Sequence, residues 1–275
     1  MRIIYLSYSK IPSRGANSIQ VVKMCAAFAG LGHQPVLFAV KGANQGLSVD
    51  EFYGVTQEFQ TIQIGVPNIP GLRQFWYTLV VWLRLLRQSR PAVFYGRGAI
   101  YSLALASLFK ILIILEVHTP PHHFVERWLI RWLCKRNNFY RLVAISKSLE
   151  AFYQNLLPEL DRKKFLIAQD GADPVFLQDH HPLPSLGREG ALQVGYSGHL
   201  YEGRGMEVIC SLSERLPEVD YHIVGGQEEH IRNWRERCPC SNLYFHGFVN
   251  PKEVYSYLDR FDILLVGRQQ NVETV

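Results

Sequence analysis

The stretch Gly195-Tyr196-Ser197-Gly198-His199-Leu200-Tyr201-Glu202-Gly203-Arg204-Gly205-Met206 carries residue types that bind phosphate. It follows the short run Leu192 to Val194, read as a strand, and precedes a helical pattern over Glu207 to Leu216. A strand therefore ends in a glycine-rich loop that opens a helix. Without a Cβ, glycine lets the backbone come close to a ligand. The helix start offers unpaired N–H groups and a partial positive charge. Arg204 adds a fixed cation whose planar fork suits phosphate oxygens. The plainer alternative is an ordinary strand-to-helix turn, and spacing alone does not choose between the two.

The other chemistry-bearing residues stand at the ends of strand-like runs. Glu116 and His118 close an apolar run, and Arg97 lies between glycines in Tyr95-Gly96-Arg97-Gly98. Arg14 and Gly15 follow the first run, Gly225 and Gly226 follow Val224, and Gly247 to Val249 follow Phe245. Each has a plain reading. Glu116 fixes a loop or meets a hydroxyl of a ligand, and Arg97 serves a cleft or a surface ion pair. Gly15 lets amides touch an anion or simply turns the chain.

The elements that must position these residues alternate. Strands are read at 2–8, 35–40, 59–64, 92–95, 111–117, 141–145 and 165–168. Helices are read at 18–31, 72–87, 100–109, 124–135 and 147–156. Residues 170–190, rich in Asp, His, Pro and Gly, read as a linker. A second alternation follows, with strands at 192–196, 221–224, 243–245 and 262–266. Its helices lie at 206–216, at 227–236 and after Asn250, which caps a helix begun by Pro251. Short links and continuously apolar strands predict parallel sheets covered on both faces. Ligands then sit beyond the carboxyl ends of the strands, where the residues above collect. Two such sheets facing one another would gather them around one cleft.

Composition narrows the partners. A length of 275 residues with 48% hydrophobic content supports one large or two ordinary α/β domains. The formal net charge of +5 suits an anionic ligand or a membrane surface rather than a nucleic acid. Cysteines at 25, 134, 210, 238 and 240 form no even framework, which fits free thiols in a reducing cytoplasm. The start of the chain lacks the form of a signal peptide. The most apolar window, Ala99 to Leu115, contains Lys110 and is too short to span a bilayer.

Taken in order, these pieces resemble the retaining glycosyltransferases of family 4. The first strand, the Gly15 loop and the helix ending Gly30-Leu31-Gly32-His33 look like the family's opening. Val143-Ala144-Ile145-Ser146-Lys147-Ser148 resembles a later strand of its first domain, and Gly195 to Gly205 its diphosphate loop. Val224-Gly225-Gly226, Phe245-His246-Gly247-Phe248-Val249 and Phe261-Asp262-Ile263-Leu264-Leu265 resemble its strand end and base-binding segment.

The resemblance implies a GT-B fold of class α/β, made of two Rossmann-like domains. Residues 1–175 would form the acceptor side and residues 176–275 an incomplete nucleotide-sugar-binding domain. It implies a nucleotide-sugar donor as substrate, a carbohydrate or lipid-linked acceptor, retention of configuration and no metal or other cofactor. Donor contacts would come from Gly15, Arg97, Ser197, Gly198, His199, Arg204, Gly225, Gly226 and Val249, the last through its backbone. His118, with Glu116 beside it, would orient the donor sugar. Where the family places a basic pair, this sequence has His199 and Arg204, and His199 is cationic only when protonated. The family's paired glutamates follow the segment that here reads 262–266. The sequence ends before them, and Glu273 stands too early to replace them. The chain is therefore expected to correspond to the front part of such an enzyme, either as a fragment or as a truncated product. A nucleotide-sugar epimerase of the same architecture and a non-catalytic remnant are the rivals.

Two stretches interleave aromatic and basic residues: Arg73 to Arg90, with Phe75, Trp76, Trp82, Arg84 and Arg87, and Trp128 to Arg136. Either they cover the sheet with their apolar faces, or they also lie on an anionic membrane. The expectation is a cytoplasmic protein, peripheral on the inner face of the membrane in the second case.

Overall fold

The computed structural model describes residues 1–43, 46, 48–69, 72–87, 91–171, 186–249 and 251–266. Arg90, Asn250, Glu273 and most of the 170–190 linker lie outside the described residues. The chain divides into two compact units, Met1–Ala172 and Asp173–Val275.

In the first unit β1 (Arg2–Ile11), β2 (Gln34–Lys41), β3 (Gln60–Ile64), β4 (Val93–Arg97), β5 (Leu112–Val117), β6 (Phe139–Ala144) and β7 (Phe165–Ile167) form one sheet. Every pairing is parallel and the order is β3-β2-β1-β4-β5-β6-β7. The helices are α1 (Ala16–Gly30), α2 (Val49–Tyr53), α3 (Leu72–Leu85), α4 (Ile100–Ala106), α5 (Phe124–Cys134) and α6 (Lys147–Leu156). α3 to α6 bury Tyr77, Leu103, Leu133 and Tyr153 against one face of the sheet. α1 and α2 bury Val21, Val22, Cys25, Phe52 and Tyr53 against the other. Both faces being covered, β2 is buried from Pro35 to Val40 and its sequence is continuously apolar.

Local differences from the sequence reading have physical causes. β1 runs on to Ile11 through a register shift between Leu6 and Lys10, where a loop is expected. α1 starts at Ala16, because the Gly15 carbonyl already accepts from the Ser18 and Ile19 amides. Residues 107–109 tighten into a 3₁₀ turn, and Lys110 leaves it with φ +56°. α2 is an unforeseen helix, held by a reciprocal cap: the Ser48 hydroxyl accepts from Glu51 N and the Glu51 carboxylate from Ser48 N.

The second unit repeats the plan on a smaller scale. β8 (Gln193–Ser197), β9 (Asp220–Val224), β10 (Leu243–Gly247) and β11 (Ile263–Leu264) pair in parallel in the order β10-β9-β8-β11. Its helices are α7 (Met206–Arg215), α8 (Glu228–Arg237) and α9 (Pro251–Leu258). Met206, Ile209, Ile231 and Trp234 pack on Val194, Tyr196, Tyr221 and Ile223. Phe261 seats its ring where a Cβ on Gly195 would stand, so only glycine fits at that point of β8. Each sheet has a point where the strand order reverses, between β1 and β4 and between β8 and β11. In open parallel sheets that is where a crevice opens at the carboxyl ends.

Candidate functional site

At the reversal point of the first sheet, β4 and β5 end beside β1, with Ser7 in register with Arg97 and Arg97 with Glu116. The Glu116 carboxylate is buried and surrounded by donors. Tyr95 Oη donates to Oε2 at 2.6 Å and Tyr5 Oη at 3.3 Å. Gln20 Nε2 donates to Oε1 at 3.1 Å, Arg97 Nε lies 3.5 Å from the same oxygen, and His118 Nε2 bonds it as well. Burial pushes the Glu116 carboxyl up. Hydrogen bonds from His118 and Tyr95 and the charge of Arg97 outweigh it and hold the group below the usual carboxylate range. The same anion, added to burial, pushes the Tyr95 and Tyr5 phenols far above theirs. Both therefore act only as hydroxyl donors.

Arg97 is the link within this cluster. Its Nη1 donates to the carbonyl of Asn17, in the first turn of α1, at 2.7 Å. Its Nη2 stands 3.1 Å from His118 Nδ1. A guanidinium has no acceptor, so Nδ1 must accept, and the proton sits on Nε2, facing Glu116. Both ring nitrogens are engaged in this arrangement, so the ring is held in one orientation. Glu116, enclosed by these donors, fixes its neighbours and does not present its oxygens to a ligand. Gly15, at the start of α1, has φ −74°, and its neighbour Asn17 Oδ1 would lie 2.7 Å from an added Cβ.

At the reversal point of the second sheet lies the loop after β8. Ser197 ends the strand opposite Val224, and Gly198 N donates to the Val224 carbonyl at 3.0 Å. The carbonyls of His199 and Leu200 turn inward, accepting from Tyr196 Oη at 2.8 Å and Trp234 Nε1 at 2.6 Å. A Cβ on Gly225, at φ +112°, would strike the Gly198 carbonyl, so the ends of β8 and β9 meet through two glycines. Gly226 makes room in the same way for Leu200. Val249 is buried beside Val224 and Phe261, so its side chain packs.

The cationic side of this loop is Arg204. Its guanidinium lies over the Tyr201 ring at 4.9 Å and donates to Tyr201 Oη at 3.0 Å. Tyr201 in turn stacks on His199 at 5.3 Å. Burial first, then the charges of Arg204 and His230, push the His199 imidazolium below its usual range, so His199 is neutral at pH 7. Between Ser197 and Gly205 the loop therefore offers one cation to an anion, Arg204, not two. Glu207, one residue into α7, sends Oε1 to the Gly203 amide at 3.0 Å and stabilises the loop's turn.

The supporting residues were not singled out from the sequence. Tyr5, Gln20 and Tyr95 in the first unit, and Tyr196, Trp234 and Glu207 in the second, become visible only through their partners. The available signal was polar aromatic residues inside otherwise apolar strands.

Two parallel sheets, each with its polar residues at the carboxyl ends, define the α/β class of two Rossmann-like units, the GT-B fold. Solved structures bear this out. The Anabaena HepE protein, solved in complex with UDP and glucose, superposes with a TM-score of 0.69 at 16% identity, over 96% of this chain and 73% of its own. Sucrose-phosphate synthase from Thermosynechococcus elongatus gives 0.71 at 13% identity, over 97% and 75%. The UDP-GlcNAc 2-epimerase from Neisseria meningitidis, bound to UDP-GlcNAc, gives 0.60 at 12%, over 96% and 77%. In sequence, the chain is similar to two Escherichia coli proteins, the O-antigen biosynthesis glycosyltransferase WbnH and the probable O-antigen biosynthesis glycosyltransferase WbiN. Each is 24% identical over 213 residues, 73% of this chain and 60% of the relative. The matched region thus spans about 60% of these relatives' length. No protein-family profile matches the chain. Among the described residues, no helix is long and apolar enough to cross a membrane.

Proposed function

We propose that the protein is a retaining glycosyltransferase of family 4. It transfers a sugar from a nucleotide-sugar to a carbohydrate or lipid-linked acceptor in the synthesis of O-antigen or a related envelope glycan. The observation that carries the reading is the loop from Ser197 to Gly205. It leaves the reversal point of a parallel sheet, holds its carbonyls inward and ends on α7 with Arg204 as its cation. Sequence similarity to O-antigen glycosyltransferases supports the transfer reading over the epimerase one.

In this reading Arg204, the Gly198 and Gly225 turns and the start of α7 hold the donor diphosphate in the second unit. His118, fixed by Glu116 and Arg97, orients the donor sugar, and Gly15 lets the first-unit backbone approach. Cation and helix-end amides offset the charge of the leaving diphosphate, with no metal. The leaving phosphate takes the acceptor's proton on the face where the new bond forms, which retains configuration. The reaction is placed in the cytoplasm, at the inner face of the membrane.

A thermal-shift screen with UDP, GDP and ADP tests the donor site. One of them should raise Tm, and Arg204→Ala should abolish the rise; an unchanged rise removes Arg204 from the site. Conversion of the donor sugar with no acceptor consumed favours an epimerase, and binding without turnover a non-catalytic module.

A further inference from the structure

α5 ends at Cys134 and the chain enters β6 at Phe139; α6 ends at Leu156 and the chain enters β7 at Phe165. Both helices therefore end at the amino edge of the first sheet, opposite the edge that carries Glu116 and His118. Their ends bound a cavity of about 410 Å³. The last turn of α5 contributes Arg131 and Cys134, and Lys135 follows as its cap. Leu156 closes α6, and Leu157 and Glu159 continue the wall.

The floor of this cavity is apolar, since Cys134, Leu156 and Leu157 are all buried. Burial pushes the Cys134 thiol up to about 12, against the pull of Lys164, so the thiol stays neutral and packs as a small apolar group. The rim is charged. Arg131 Nε donates to the Leu156 carbonyl at 3.4 Å, which uses one of the guanidinium's five N–H donors. Lys135 Nζ lies 2.8 Å from Glu159 Oε2, and both side chains are mostly exposed. An exposed ion pair contributes little, so the anion of a ligand can replace Glu159 at Lys135. Two cations against one carboxylate leave the rim with a single positive charge in excess.

We propose that this cavity binds a small apolar carboxylate, with its apolar body on Cys134 and Leu157 and its anion between Arg131 and Lys135. The volume lies within the range of small-molecule sites, roughly 300–1,000 Å³, and is too small for a folded partner. A guanidinium and an ammonium at the mouth of an apolar floor suit the two oxygens of a carboxylate. The rival occupant is a cation, drawn by the partial negative charge at two helix ends, but Arg131 and Lys135 already stand there. The cavity lies on the far edge of the sheet from His118, so a sugar oriented by that residue is not its occupant. The inference therefore stands without the transfer reading above.

Isothermal titration calorimetry of the full chain with naphthylacetate, naphthylethanol and naphthylethylamine tests this without donor or turnover. The three probes carry a carboxylate, a hydroxyl and an ammonium on one apolar body. The carboxylate should bind about tenfold or more tightly than the other two, the difference made by one charge-assisted bond. Arg131→Gln should weaken that binding about tenfold. Glu159→Gln should strengthen it about threefold, because the competing carboxylate is gone. The two substitutions act in opposite directions, which a general loss of structure would not produce. No binding of any probe, equal binding of the alcohol, preference for the amine, or an affinity unmoved by either substitution overturns the proposal.

Discussion

A buried carboxylate with several donors is costly to disturb one partner at a time, because the lost bond leaves charge inside the protein. Of the two phenol donors to Glu116, Tyr95 is the nearer and Tyr5 the farther. Tyr95→Phe should therefore cost about 1.5–3 kcal/mol in urea unfolding, and Tyr5→Phe distinctly less. Equal losses would mean that the two hydroxyls share the carboxylate evenly. The same group gives a pH dependence. Its folded pKa lies below the unfolded value, so its stabilisation is present above the usual carboxylate pKa near 4.5 and is lost as pH falls through the folded value. Tyr95→Phe should narrow that acid-side loss, read as midpoint against pH.

At the scale of elements, close packing at glycines fixes how the pieces of the second unit meet. Gly195→Ala would push a methyl into the Phe261 ring, and α9 hands the chain to β11 through that residue. Overpacking of this kind costs about 1–3 kcal/mol, and Phe261→Leu in the same chain should restore part of it. A double mutant no better than the sum of the singles would break the assignment. α2 is a simpler case. Ser48→Ala removes one half of its reciprocal cap and should cost about 1 kcal/mol, visible as a lowered Tm.

Across the molecule, both units carry groups that lose their native partners in acid. In the second unit, the His222 ring stacks on Tyr244 at 4.9 Å, its Nδ1 lies 3.0 Å from His246 Nε2, and its Nε2 lies 2.6 Å from Gln193 Oε1. Burial, then the neighbouring His246, lowers its pKa from the usual 6.5 to about 4. The unfolded chain binds this proton first, so stability is full above about 6.5 and declines toward about 4. The loss from His222 alone is on the order of 2–3 kcal/mol. Asp220 lies just before it. Burial raises its carboxyl, but the Arg188 bonds and charges bring it below its usual value, so its contribution fades only at lower pH. Acid unfolding should therefore begin on the histidine side of pH 6, and His222→Gln should move that onset downward. An unmoved onset would assign it elsewhere.

The sequence by itself determined the alternation of strands and helices, and hence parallel sheets with polar residues at their carboxyl ends. These follow from local periodicity and from links too short for any other crossover. The loop from 195 to 206 was legible because glycine and arginine state their chemistry locally. The reciprocal cap of α2 is likewise written locally, in the spacing of Ser48 and Glu51. What only the tertiary structure decided is which side chains meet. Tyr5 and Glu116 are 111 residues apart, Gln20 and Glu116 are 96 apart, and His222 and His246 are 24 apart on paired strands. Register between distant strands sets those contacts, and no local pattern encodes it. For the same reason the orientation of His118, the engagement of Arg97 and the enclosure of Glu116 could be read only once β1, β4 and β5 lay side by side.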